Sequence, residues 1–101
     1  MIKLSSNQRR FLRARANRLR AMVMVGKAGL TDQVLAQVDH ALENHELIKV
    51  KLLPVGDDPR LLADEVANAT GSTLVMQIGG VAVLYRQHPD REQRKVLLPR
   101  E

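Results

Sequence analysis

The chain has 101 residues, 45% hydrophobic and 27% charged, enough apolar content for one packed core and too much for wholesale disorder. It has no cysteine, which excludes disulfides, thiolate metal sites and cysteine nucleophiles, and its apolar runs are too short to span a bilayer. Sixteen Lys and Arg against eleven Asp and Glu give a net charge of +5. The excess is concentrated: Lys3, Arg9, Arg10, Arg13, Arg15, Arg18, Arg20 and Lys27 all precede Asp32, the first carboxylate, and the remainder is net acidic. Such asymmetry points to a polyanionic partner, nucleic acid first and an anionic membrane second. Phe11 and Tyr85 are the only aromatic residues, so recognition by a platform of stacked rings is excluded.

A basic, acid-free start also imitates a targeting segment. Met1–Arg20 has no continuous apolar stretch, which excludes a secretory signal. A mitochondrial transit segment is closer in composition, but the apolar positions read as a core-facing stripe, so a cytoplasmic protein is expected.

Ser5 or Ser6 caps a first helix expected to run to about Leu19, with Leu12, Ala16 and Leu19 at helical spacing, Phe11 beside them and six arginines around the rest. Met22–Val25 reads as a buried strand, ended by Gly26. After the Gly26-Lys27-Ala28-Gly29 loop, Thr31 caps a second helix, with Asp32 in its first turn and an apolar stripe of Val34, Val38, Ala41 and Leu42, ending near Asn44. Leu47–Leu53 alternates, with Ile48, Val50 and Leu52 on one face and Lys49 and Lys51 on the other. Asp58-Pro59 opens a third helix that Gly71 stops, Asp57-Asp58 being explained by capping. Thr73–Ile78 and Val81–Arg86 are strands joined by a two-residue Gly79-Gly80 hairpin. From Gln87 onward the chain is polar, with Val96-Leu97-Leu98 as a last apolar patch. Arg86, Arg91, Arg94 and Lys95 stand close to Asp90 and Glu92 and read as a solvated tail. The expectation is one compact α/β domain over residues 1–101, core about 4–86 and tail 87–101, in the order α-β-α-β-α-β-β, with a four-stranded sheet backed by helices.

The Gly26-Lys27-Ala28-Gly29 turn is the first functional candidate. Two glycines three apart let a backbone approach a ligand closely, and a helix N-terminus just beyond favours a phosphate. Lys27 adds a mobile cation, in the manner of a KH-type GXXG clamp. A nucleotide-binding P-loop is excluded, because Ala21 and Ala28 stand where it needs Gly and Ser/Thr. The second candidate is the basic helix surface, Arg9, Arg10, Arg13, Arg18 and Arg20, with Lys49 and Lys51 extending it if their strand lies nearby. Enzymatic constellations are thin. His40 and His45 are poorly aligned for a shared metal, His45 sits near helix C-terminal carbonyls, and His88 lies in the tail. No metal, cofactor, small-molecule substrate or catalytic residue is expected.

The run Val23-Met24-Val25-Gly26-Lys27-Ala28-Gly29-Leu30-Thr31, followed by His45-Glu46-Leu47-Ile48-Lys49-Val50-Lys51, resembles the CRM domain in its stand-alone bacterial form, called YhbY. Gln77-Ile78-Gly79-Gly80, Val83-Leu84-Tyr85-Arg86 and Leu97-Leu98-Pro99-Arg100 fit the same family, over nearly the whole chain. The resemblance implies a compact fold similar to the C-terminal domain of translation initiation factor three. It also implies RNA binding through the GXXG loop and the basic first helix, and association with large-subunit precursors during ribosome assembly. Where the family commonly has Gly-Lys at the hairpin tip, this chain has Gly79-Gly80. The partner expected is therefore RNA, ribosomal RNA in large-subunit precursors. The alternative is a protein-interaction module whose basic helix docks on an acidic protein surface. DNA and a membrane surface are weaker readings, the latter because Leu12, Ala16 and Leu19 cannot face both core and lipid.

Overall fold

The computed structural model describes residues 3–53 and 58–100. Helix α1 (Ser6–Ala16) opens with a capping box in which the Ser5 hydroxyl accepts the Gln8 N–H and the Gln8 side chain accepts the Ser5 N–H. Strand β1 (Ala21–Val25) leads through the glycine loop to α2 (Asp32–His45), whose Thr31 cap accepts the Val34 N–H at 3.1 Å. Next come β2 (Leu47–Leu52), α3 (Pro59–Thr70), β3 (Thr73–Ile78) and β4 (Val81–Tyr85), then a turn of 3-10 helix, Arg91–Gln93. Asp58 caps α3, and the backbone N–H of Arg60, helped by its guanidinium, holds the Asp58 carboxyl below the usual carboxylate range. Asp57 lies outside the described residues.

The sheet order is β1-β2-β4-β3, with β1 parallel to β2 and β4 antiparallel to both its neighbours. Each face carries its own core. On one, Val38 and Leu42 of α2 and Leu62 and Val66 of α3 meet Val23, Val25, Ile48, Val50, Ala82 and Leu84. On the other, Leu12 and Ala16 of α1 join Leu4 and Val96 over Leu47, Val75, Val83 and Tyr85. Helix α1 lies over β2 and β3, while Met24 and Lys51, next to the glycine loop, stay exposed.

Four expectations change. Strand β1 is not buried throughout: it lies at a sheet edge, with Val23 and Val25 in the core and Met22 and Met24 exposed. Helix α1 stops at Ala16 rather than Leu19: the Asn17, Arg18 and Leu19 N–H groups turn back to Arg13, Arg15 and Ala16. Leu19 still packs on the second core, from the turn rather than the helix, and Arg18 and Arg20 leave the helix with it. Strand β4 ends at Tyr85, and Arg86 is no solvated tail residue. Its guanidinium reaches Asp39 at 2.6 Å, Glu43 at 3.5 Å and the Thr70 carbonyl at 2.8 Å. The closing stretch is likewise packed. The buried Glu46 carboxylate accepts the N–H groups of His88, Lys95 and Val96, the Arg94 Nε donates to the His88 carbonyl, and the Gln8 amide donates to the Pro99 carbonyl at 2.9 Å.

Candidate nucleic-acid interface

Gly26 to Gly29 form a β-turn closed by the Gly29 N–H on the Gly26 carbonyl at 3.0 Å. Gly29 holds φ at +73°, a conformation that side chains other than Asn and Asp resist, and open space surrounds the position of a Cβ. Thr31 N–H then bonds the Gly29 carbonyl, and α2 starts immediately after. The backbone N–H groups of Lys27 and Ala28 find no acceptor among the described residues, and both side chains are exposed. Two free donors, a mobile ammonium and a helix N-terminus thus converge where an anion can sit.

Sheet register decides which cations join the loop. Met24 is paired with Lys51, and Val25, the residue before Gly26, with Leu52. Val25 and Leu52 face the α2/α3 core, so Met24, Lys51 and Lys49 share the opposite, open face. Lys51 therefore flanks the loop and Lys49 follows it along β2. Met22, the extra residue of a bulge in β1, is exposed on the same face at the far end of that strand.

The arginines divide into groups. Arg18, in the turn after α1, stands by Met22, and Arg20 is exposed just before β1. Arg10 and Arg13 are exposed on α1, which the fold sets over β2 and β3 rather than over β1 and its loop. Arg9 is half-buried: its Nη1 donates to the carbonyls of Leu74 and Val75 at 3.1 and 3.0 Å, where a bulge interrupts the edge strand β3. Arg15 was not among the sequence candidates. Its guanidinium lies 5.7 Å from the centre of the Phe11 ring and faces a cleft beside Arg18. Arg15 lies on α1 and Arg18 in the turn after it, and no local signal in the sequence foretold the cleft they share.

Among the histidines, His88 accepts the Asp90 N–H at Nδ1, so its Nε2 carries the proton that meets Glu43 at 3.0 Å. His40 contacts Asn44, and His45 closes α2. Among the described residues, no three His, Asp or Glu side chains gather in a way that could hold a metal ion, and no helix is long and apolar enough to cross a membrane.

The arrangement is a compact α/β domain with an exposed glycine loop at the N-terminus of α2 and a strand carrying Lys49 and Lys51 beside it. Residues 4–86 match the CRS1/YhbY (CRM) domain, and the chain belongs to that family. It is 39% identical to a Haemophilus influenzae protein named RNA-binding protein, over the full length of both chains. It is 37% identical to the probable RNA-binding protein YqeI of Bacillus subtilis, over 95% of this chain and 99% of that one. The solution structure of a Staphylococcus aureus protein, described as an RNA-binding candidate, superimposes with a TM-score of 0.78 at 33% identity, covering 96% of this chain and all of the other. The α/β fold expected from the sequence is the fold of this relative. These relatives are named for RNA binding rather than for a catalysed reaction.

Proposed function

We propose that this chain binds RNA through the Gly26–Gly29 loop and acts in the cytoplasm in ribosome assembly, on precursor RNA of the large subunit. The observation that carries the binding mode is the loop itself: two unpartnered N–H groups and Lys27 at the N-terminus of α2, continued by Lys51 and Lys49 on the same open sheet face. These groups address phosphates, so they read the backbone and its shape more than the base sequence. RNA as the polyanion is supported by the names of the family relatives. The assembly role rests on the resemblance of the glycine loop and the Lys49–Lys51 strand to the bacterial stand-alone form of the domain.

Sedimentation of cell lysate tests the assembly role. The native chain is expected to co-migrate with large-subunit precursors and to leave them after mild RNase. Retention after RNase would favour an acidic protein surface as partner, and migration only as a free small protein would remove the ribosomal claim. Binding in vitro is expected to weaken with salt at a slope near −3.5 in log–log terms for about five phosphate contacts to a single strand.

A further inference from the structure

The cleft that Arg15 faces has a volume of about 450 Å³ and lies between the end of α1, the start of β1, the end of α2 and the closing segment. This is the size of a small-ligand site. Its floor is apolar, made by Phe11, Leu19, Leu47 and Val96, with the Met22 side chain at the edge. Its charged lining is cationic throughout: Arg15, Arg18 and Lys95, joined by His45, with no carboxylate. None of the Arg15, Arg18 and Lys95 side chains is in an ion pair among the described residues. A solvated helix surface does not need an apolar floor ringed by unpaired cations.

The cleft also lies in line with the loop. Met22 at its edge lies near the start of β1 and Gly26 just past its end, four residues and so about 13 Å apart along an extended chain. Between them, on the same face, run Met24, Lys51 and Lys49. A strand of RNA whose phosphates meet the loop can follow this face and arrive at the cleft within a few nucleotides. We propose that the cleft receives one unstacked nucleotide of that strand, its base on the floor beside Phe11 and Met22 and its phosphate among Arg15, Arg18 and Lys95. A single ring and four aliphatic side chains suit one base, which is why the scarcity of aromatic residues does not forbid it. The pinning of Lys95 and Val96 by Glu46 makes the far wall a fixed one.

This inference rests on RNA being the partner, and its test separates the two. The full chain, isotope-labelled, is titrated with an oligouridylate of about eight nucleotides and, separately, with uridine monophosphate. With the oligonucleotide, the methyl signals of Leu19, Met22, Leu47 and Val96 are expected to shift together with the Gly26–Gly29 amides. The mononucleotide, lacking the loop contacts, is expected to leave them nearly still. Ala14→Trp, which fills the cleft from the exposed side of α1 without removing a cation, should weaken oligonucleotide binding about tenfold with an unchanged salt slope. Arg15→Gln and Arg18→Gln should each lower that slope by about 0.7. Loop amides that shift while the cleft methyls stay still would overturn the inference and leave RNA binding standing. Tight binding of the mononucleotide in the cleft would overturn it in favour of a free-nucleotide site. No binding of the oligonucleotide at all would remove both readings. The methyl measurement uses the unaltered chain, so it stands even if Ala14→Trp does not fold.

Discussion

The carboxylate of Glu46 accepts the backbone N–H of Val96 at 2.8 Å, joining the end of α2 to a residue fifty positions later. Glu46 is wholly buried and holds φ at +64°, so its carboxylate is aimed inward by a backbone turn that few side chains adopt. Its Oε1 takes the N–H groups of both Lys95 and Val96 and its Oε2 that of His88, so one side chain holds three amides of the closing segment. Glu46→Gln keeps one acceptor oxygen but turns an amide donor toward a donor, which should cost about 1–3 kcal/mol. Denaturant unfolding measures the loss. Hydrogen exchange should show it as faster opening at His88, Lys95 and Val96; unchanged protection there would contradict the pin.

Tyr85 lies wholly buried beside this network, and its hydroxyl meets no partner at bonding geometry among the described residues. Burial, reinforced by the Glu46 carboxylate, pushes its pKa up from 10.0 to about 12. The folded state therefore keeps a proton that the unfolded chain gives up near its ordinary pKa of about 10. The sign follows: this contribution to stability is complete below about pH 10 and is lost as pH rises toward about 12. Tyr85→Phe should be neutral or stabilising by up to about 1 kcal/mol at pH 7, since it removes an unsatisfied buried hydroxyl. Unfolding curves at alkaline pH should fall less steeply for the Phe variant than for the natural chain.

Arg9 separates structural from interfacial cations. Its guanidinium bridges the Leu74 and Val75 carbonyls on the β3 edge, a position where unpaired carbonyls otherwise invite another strand. Arg9→Met is expected to cost about 1–2 kcal/mol of stability, in the range of charge-assisted hydrogen bonds. It should leave the salt slope of RNA binding nearly unchanged. A drop in slope of about 0.7 would instead return Arg9 to the phosphate contacts.

Gly80 is set by close approach rather than by turn chemistry alone. The Leu52 N–H donates to the Gly80 carbonyl at 2.6 Å, and a Cβ on Gly80 would stand 2.7 Å from the Leu52 carbonyl oxygen. Since backbone cannot retreat as a side-chain end can, Gly80→Ala should cost about 1–3 kcal/mol in thermal or denaturant unfolding.

What could be read from the sequence was local. The cap at Ser5 or Ser6, the Thr31 and Asp58-Pro59 helix starts, the Gly79-Gly80 turn and the alternation in Leu47–Leu53 each involve neighbours within a few residues. The end of α1 was misread because Leu19 continues the helical spacing of Leu12 and Ala16 and reaches the same core from a turn. The closing segment was misread because side-chain charge suggested solvent, whereas its anchoring is made by backbone amides, which every sequence possesses equally. In the candidate site, the loop was legible because a glycine pair and a lysine carry the signal themselves. Lys49 and Lys51 needed the β1–β2 register to be placed beside it. The cleft draws on residues from Phe11 to Val96, and no spacing rule connects them.

The glycine loop allows charge to be tested apart from shape. Gly29 has φ at +73° with free space around a Cβ, so Asn and Asp, the two side chains that best tolerate this conformation, should fit with a stability loss below about 1 kcal/mol. They are nearly the same size and differ by one negative charge. If the Lys27 and Ala28 N–H groups hold a phosphate, Gly29→Asn should weaken RNA binding only a few-fold, whereas Gly29→Asp, placing a carboxylate against that phosphate, should weaken it by about a hundredfold at low salt. The gap between the two variants should narrow as salt rises, because screening weakens the repulsion at an exposed loop. Equal binding by both variants, with folded spectra, would show that no phosphate approaches Gly29 and would move the RNA contacts to the Lys49–Lys51 strand and the arginines.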